Sequence, residues 1–342
     1  MRFISKIVSL FLVVNVWALP ELKTKQSVKN IRYISQDGKV TYYQKNSGQL
    51  QYSTNYDFIS VMEKPKNTIY ELTVSEGLKK VAIEVIDNPF AKGQWKSDNE
   101  IYLVDYISKQ KPKLIGRGTS PKLHEKYNVL SYFSTEKNSI MIRRGDFEQE
   151  IKLVNKSNPF FIPMIEVLSP NEIVFTDINK EGFQAILLYS LADKTFEVLY
   201  KVKAPGLNIE ICKTDEFLIA GTFPNSSYFS GSKILMTPLF RGSMTKSWKT
   251  IYENNFPDVG NMVCKNNYAF FLHTNIFKGD LNERETSVHK IKLDYDNEVS
   301  SQKIVEFEDA SQIFKLGNMI ITSKFGKYYI VEGSSPVEAD AL

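Results

Sequence analysis

His124, His273 and His289 are the chain's three histidines, and histidine is the side chain best suited to move a proton or bind a transition metal near neutral pH. Their spacing does not assemble a metal site. No His-x-His occurs, and no pair has the spacing of metal ligands, so no metal is expected. The sequence also holds no Gly-x-Ser-x-Gly elbow and no Walker loop. His124 stands beside Glu125, where it reads as a polar lining residue more readily than as a catalyst with so few partners.

Asp177, Asn179, Glu181 and Gly182 form the first half of a calcium loop, with side-chain oxygens at alternate positions. Leu188 stands where the closing bidentate acid belongs, so an ordinary hairpin turn is favoured. Asp294, Asp296 and Glu298 make a weaker version without the glycine. Cys212 and Cys264 are each followed by lysine. An oxidising compartment would let them pair, but a disulfide needs a Cα separation of roughly 4.4–6.8 Å. The alternative is two small residues packed between neighbouring units, which Phe314 at the matching place favours. Aromatic residues that could form a binding surface are Phe223, Tyr228 and Phe229 in FPNSSYFSGS, and Trp95 in NPFAKGQW. Their rings either contact a partner or fold back onto the body.

The elements that must position these residues are strands. Runs such as KVTYYQ, EIYLVDY, EIVFTDI and KYYIVEG are rich in β-branched and aromatic residues. Turn-forming clusters such as SQDG, TEKN and NKEG separate them. A hairpin pattern recurs seven times. ICKTDEFLIAGT, VCKNNYAFFLHT and IFKLGNMIITSK each carry an apolar residue two before a lysine, a short turn and an apolar run. Looser copies begin near Ile31, Tyr70, Pro121 and Ile165, and a second strand pair follows most of them. Four antiparallel strands repeating about every 45 residues make a β-propeller blade.

The expected fold is therefore all-β, a seven-bladed propeller over 19–333 in a single domain. Six blades remain open if the Tyr70 or Pro121 unit is an insertion. The last unit has only three strands before a polar tail, 334–342, read as disordered. The segment 19–30 is expected to supply the missing strand and close the ring.

The repeat SPNEIVFTDINKEGFQAILLYSLADKTFEVL (169–199) resembles that of TolB-like periplasmic propellers, with Ser169, Pro170 and Asn171 at the turn and Glu172 where that repeat has glycine. Thr119-Ser120-Pro121 and the IYLVDY strand echo other parts of it. The resemblance implies a propeller in an exported setting. It leaves function open, since such propellers host binding proteins and enzymes alike.

Residues 1–18 read as a secretory signal peptide. Arg2 and Lys6 precede an apolar stretch too short for a comfortable membrane span, and small residues fit cleavage after Ala18. The protein is expected in the periplasm or secreted, with no transmembrane anchor once the leader is removed. Loss of Arg2 and Lys6 lowers the formal charge from +4 to +2, too near balance to suggest nucleic acid. The first functional reading is a non-catalytic module with an envelope protein as partner and no cofactor. The second is a lyase or hydrolase whose His124, Glu166 and Glu210 meet at the mouth of the propeller channel.

Overall fold

Among the described residues twenty-eight strands, all paired antiparallel, form seven sheets. The computed structural model describes residues 31–35, 40–54, 57–86, 99–107, 111–153, 161–202, 207–224, 232–240, 243–244, 247–254, 258–276, 284–296, 301–308, 312–316, 319–324 and 327–332. The leader, the segment 19–30 and the tail 334–342 lie outside them.

Each sheet is one blade, and the chain is a seven-bladed propeller. The inner strands of blades one to seven are Ile31–Ile34, Ile69–Ser75, Thr119–His124, Ile165–Ser169, Leu207–Lys213, Asp258–Lys265 and Gln312–Leu316. The units near Tyr70 and Pro121 are thus full blades, and the six-bladed alternative falls. Blades one to six have at least four strands each; blade seven shows three among the described residues.

The reason for the ring is visible in the second strand of each blade. In blade four this strand, Glu172–Ile178, is buried at every position except its ends. Ile173 and Phe175 pack against blade three, while Val174 packs against blade five. Blade five repeats the alternation: Phe217 and Ile219 face blade six, Leu218 and Ala220 face blade four. A strand with two apolar faces must be covered on both sides. Seven separate apolar clusters meet that need, one in each seam of the ring. The seventh joins Met319, Ile321 and Ile330 of blade seven to Ile31, Ile34 and Tyr43 of blade one, so the circle closes through packing.

The hairpin turns use the residues that their backbone requires. Asn128, Asn138 and Asn266 sit at φ of 51°, in the left-handed region that asparagine tolerates better than most side chains.

Candidate functional site at the lysine end of the channel

The inner strands run side by side around the axis, and each ends in the turn to its second strand. Equivalent positions near these turns therefore form a circle at one end of the ring. In blades five and six the inner strand ends in lysine, and in blade seven lysine is its last residue but one: Lys213 pairs with Leu218, Lys265 with Tyr268 and Lys315 with Ile320. Blade three contributes Lys122, paired with Ser131.

A cavity of about 660 Å³ opens there. Tyr33 of blade one, Thr73 and Glu76 of blade two, Lys122 and Glu125 of blade three and Lys315 of blade seven line it. Blades three and seven are not neighbours in the ring, so a cavity that both line lies on the axis. Its volume is within the ~300–1,000 Å³ usual for small-ligand sites.

The charges at this end are unequally satisfied. Lys122 makes a 2.5 Å ion pair with buried Glu166. Lys213 donates to the Val167 carbonyl at 2.7 Å and lies 5.5 Å from the centre of the Tyr127 ring. Its amine is pushed below the usual lysine range, first by burial and then by the charges of Lys122 and Lys126, against a raising pull from Glu166. Lys265 lies 4.0 Å from Glu332. Lys315 is lowered too, by burial and by the charges of Lys265 and Lys122. Its side chain is exposed and lines the cavity.

His124, the candidate channel residue, turns inward instead. It is 6% exposed, and its Nε2 lies 2.8 Å from the hydroxyl of Ser131, diagonally across the strand pair from it. Burial, with Lys122 and Lys213 nearby, holds its pKa well below the ordinary value, so the ring is neutral. Glu166 is taken by Lys122, and Glu210 accepts from the Met262 amide at 2.9 Å across the seam to blade six. The three residues of the enzyme reading thus bond to three different partners and not to one another.

Phe223 is 7% exposed and belongs to the apolar seam between blades five and six, so its ring folds back onto the body. Trp95, Tyr228 and Phe229 lie outside the described residues. The half calcium loop is a turn: Asn179 Oδ1 accepts from the amides of Glu181 and Phe183, and Asp177 Oδ1 from that of Ile178. Among the described residues no group of three or more His, Cys, Asp or Glu is placed to hold a metal ion. Cys212 and Cys264 form a disulfide, with Cα atoms 5.7 Å apart. The inner strands are where neighbouring blades approach most closely, which brings equivalent positions within bridging distance.

Among the described residues there are two Ser–His contacts, and the serine of each is buried. Ser131 is fully buried with His124, and Ser287, 3.0 Å from His289 Nε2, is 3% exposed. His289 lies against His273, whose Nδ1 is 2.5 Å from the Tyr252 hydroxyl, in the seam between blades five and six. Burial raises the Tyr252 phenol to about 12.

In the sequence the recurring lysines serve to align the repeats. The signal that they share a site was already there: equivalent positions in a ring stand at equal height around its axis.

No protein-family model matches the sequence, and no curated protein does. Among solved structures the chain is similar to the tricorn protease, with TM-score 0.55 and 12% identity over 92% of this chain and 35% of that one. It is also similar to a GH74 enzyme of Niastella koreensis, with TM-score 0.51 and 12% identity over 86% of this chain and 52% of that one. The chain therefore spans only about a third and about half of those two proteins. A putative TolB from Agrobacterium tumefaciens aligns over 71% of this chain and 84% of its own, at 13% identity and TM-score 0.38. At these identities the likeness is one of fold alone. Among the described residues no helix is long and apolar enough to cross a membrane.

Proposed function

We propose that the protein is a non-catalytic binding propeller that works in the periplasm or as a secreted protein and takes its ligand at the lysine end of the channel. One observation carries this reading: the cavity on the axis is open and presents two lysines, whereas the serines of the two Ser–His contacts among the described residues are buried. The compartment rests on the disulfide between Cys212 and Cys264, since such bonds persist in oxidising spaces. It agrees with the leader expected at 1–18. The TolB-like repeat at 169–199 fits the same setting and suggests an envelope protein as partner. The lyase or hydrolase reading has less support, because His124, Glu166 and Glu210 are dispersed.

Affinity capture from envelope extract tests the proposal. The wild type is compared with the Lys213→Met, Lys315→Met double variant, checked for an unchanged melting temperature. Partners held by the wild type and lost by the variant are the expected result. An identical set on both would overturn the assignment of ligand binding to this end.

A further inference from the structure

The lining mixes two chemistries. Leu72, Val74, Pro121 and Leu123 are apolar and partly shared with the seams, while Lys122 and Lys315 bring cations. Both carboxylates on the lining are already engaged. Glu76 accepts from the Tyr33 hydroxyl at 2.5 Å; Glu125 accepts from the Ser75 hydroxyl at 2.8 Å and the Gly77 amide at 3.0 Å. Lys122 has Glu166. Lys315 differs from all of these, since among the described residues it has neither a hydrogen-bond nor an ion-pair partner. A lysine amine offers three donors and a full charge. Its side chain is exposed and stands near two other cations, so an anion entering the cavity can meet it.

Resting on the binding reading above, the geometry points to an organic carboxylate with an apolar body as the ligand. Its carboxylate pairs with Lys315, and its body lies against Leu72, Val74, Pro121 and Leu123. The choice of carboxylate over phosphate follows from the donors. No arginine lines the cavity, and the amide of Gly77, beside the lining residue Glu76, is spent on Glu125. Phosphate sites usually supply several forked or backbone donors. A single unengaged cation suits a single negative charge, and the apolar lining favours a ligand with more than a charged head.

Such a ligand has two possible sources, a free small acid or the carboxyl terminus of a peptide. Titration calorimetry on the full mature protein separates them with four probes: N-acetyl-leucine, a leucine-terminated tripeptide with a free carboxylate, the same tripeptide as its amide, and inorganic phosphate. Binding of at least one carboxylate probe is expected, with a loss of about tenfold or more for the amide and for Lys315→Met, as befits a charged hydrogen bond. Lys315→Arg, which keeps the charge, should retain most of the binding. A tripeptide much tighter than N-acetyl-leucine identifies a peptide terminus; equal affinity identifies a free acid.

The inference is overturned if no carboxylate binds, if the amide binds as well as the acid, if Lys315→Met binds like the wild type, or if phosphate binds best. Should Lys315→Met fail to fold, the wild type carries the test. Saturating carboxylate must then protect Lys315 from reductive methylation read by mass spectrometry, and an unprotected Lys315 defeats the idea. If every carboxylate fails while envelope capture still depends on Lys213 and Lys315, this inference falls and the binding reading stands.

Discussion

The seams of the ring and the end of its channel treat charge in opposite ways. In the seam between blades two and three, Glu84 is 3% exposed, and three donors fall on its two oxygens: Asn99 Nδ2 at 2.5 Å, the Thr119 hydroxyl at 2.7 Å and the Ser120 amide at 2.8 Å. At the channel end Lys315 stands among other cations and meets no anion of the described chain. The same fold that completes one charge leaves the other open. Seam charges are completed locally because they hold the blades in register, and an open charge on the axis serves something that arrives from outside.

The largest effect should come from the strongest tie in a seam. The Cys212–Cys264 bridge links blades five and six across a sequence separation of 52 residues. By the chain-entropy estimate, a closed loop of that length is worth about 4 kcal/mol. Replacing both cysteines with serine should lower the denaturant midpoint accordingly and leave the affinity at the channel end unchanged. An unshifted midpoint would show that this seam is held by its apolar cluster alone.

Glu84 comes next. Glu84→Ala would orphan three donors, among them that of buried Asn99, and free Ser120, whose φ of 55° is held in the left-handed region beside that carboxylate. A loss of about 3 kcal/mol is expected in denaturant unfolding. Lys315→Met should move the same measurement by no more than about 0.5 kcal/mol, since it removes a cation that nothing in the chain pairs with. Equal losses for the two variants would erase the contrast between seam and channel.

Much of the fold was legible because the seam residues write a period-two pattern. The hairpin starts read at Ile31 and Ile165 are the first residues of their inner strands, and those read near Tyr70 and Pro121 fall within two residues of Ile69 and Thr119. The starts read at Ile211 and Val263 were late. Those strands begin at Leu207 and Asp258, and their first turns carry Asn208, Glu210 and Asn261, which look like loop chemistry in isolation. The site was harder to read for a physical reason. Whether a polar residue on an inner strand faces the axis or a seam depends on a shift of one residue. His124 follows the buried option because Ser131 lies within reach across the blade. The approach of Cys212 to Cys264 depends on the distance between two blades, which no local pattern encodes.

A pH-dependent effect tests that inward turn of His124. Its proton affinity is depressed by burial first and by Lys122 and Lys213 second. The unfolded chain, with its histidine near 6.5, therefore binds a proton that the folded chain refuses as the pH falls. Stability contributed by the neutral ring is complete above 6.5 and is lost below it, at up to about 1.4 kcal/mol per pH unit for one proton. Glu210 and Glu71 are raised by burial, so protonating them favours the folded chain as the pH falls and opposes this loss. Comparing the wild type with His124→Gln cancels those two groups, which both proteins share. The difference in unfolding free energy should shift toward the variant between about pH 7 and about pH 5. A flat difference would mean that the imidazole takes up its proton in place, and that His124 faces the water of the channel with the lysines instead of the seam.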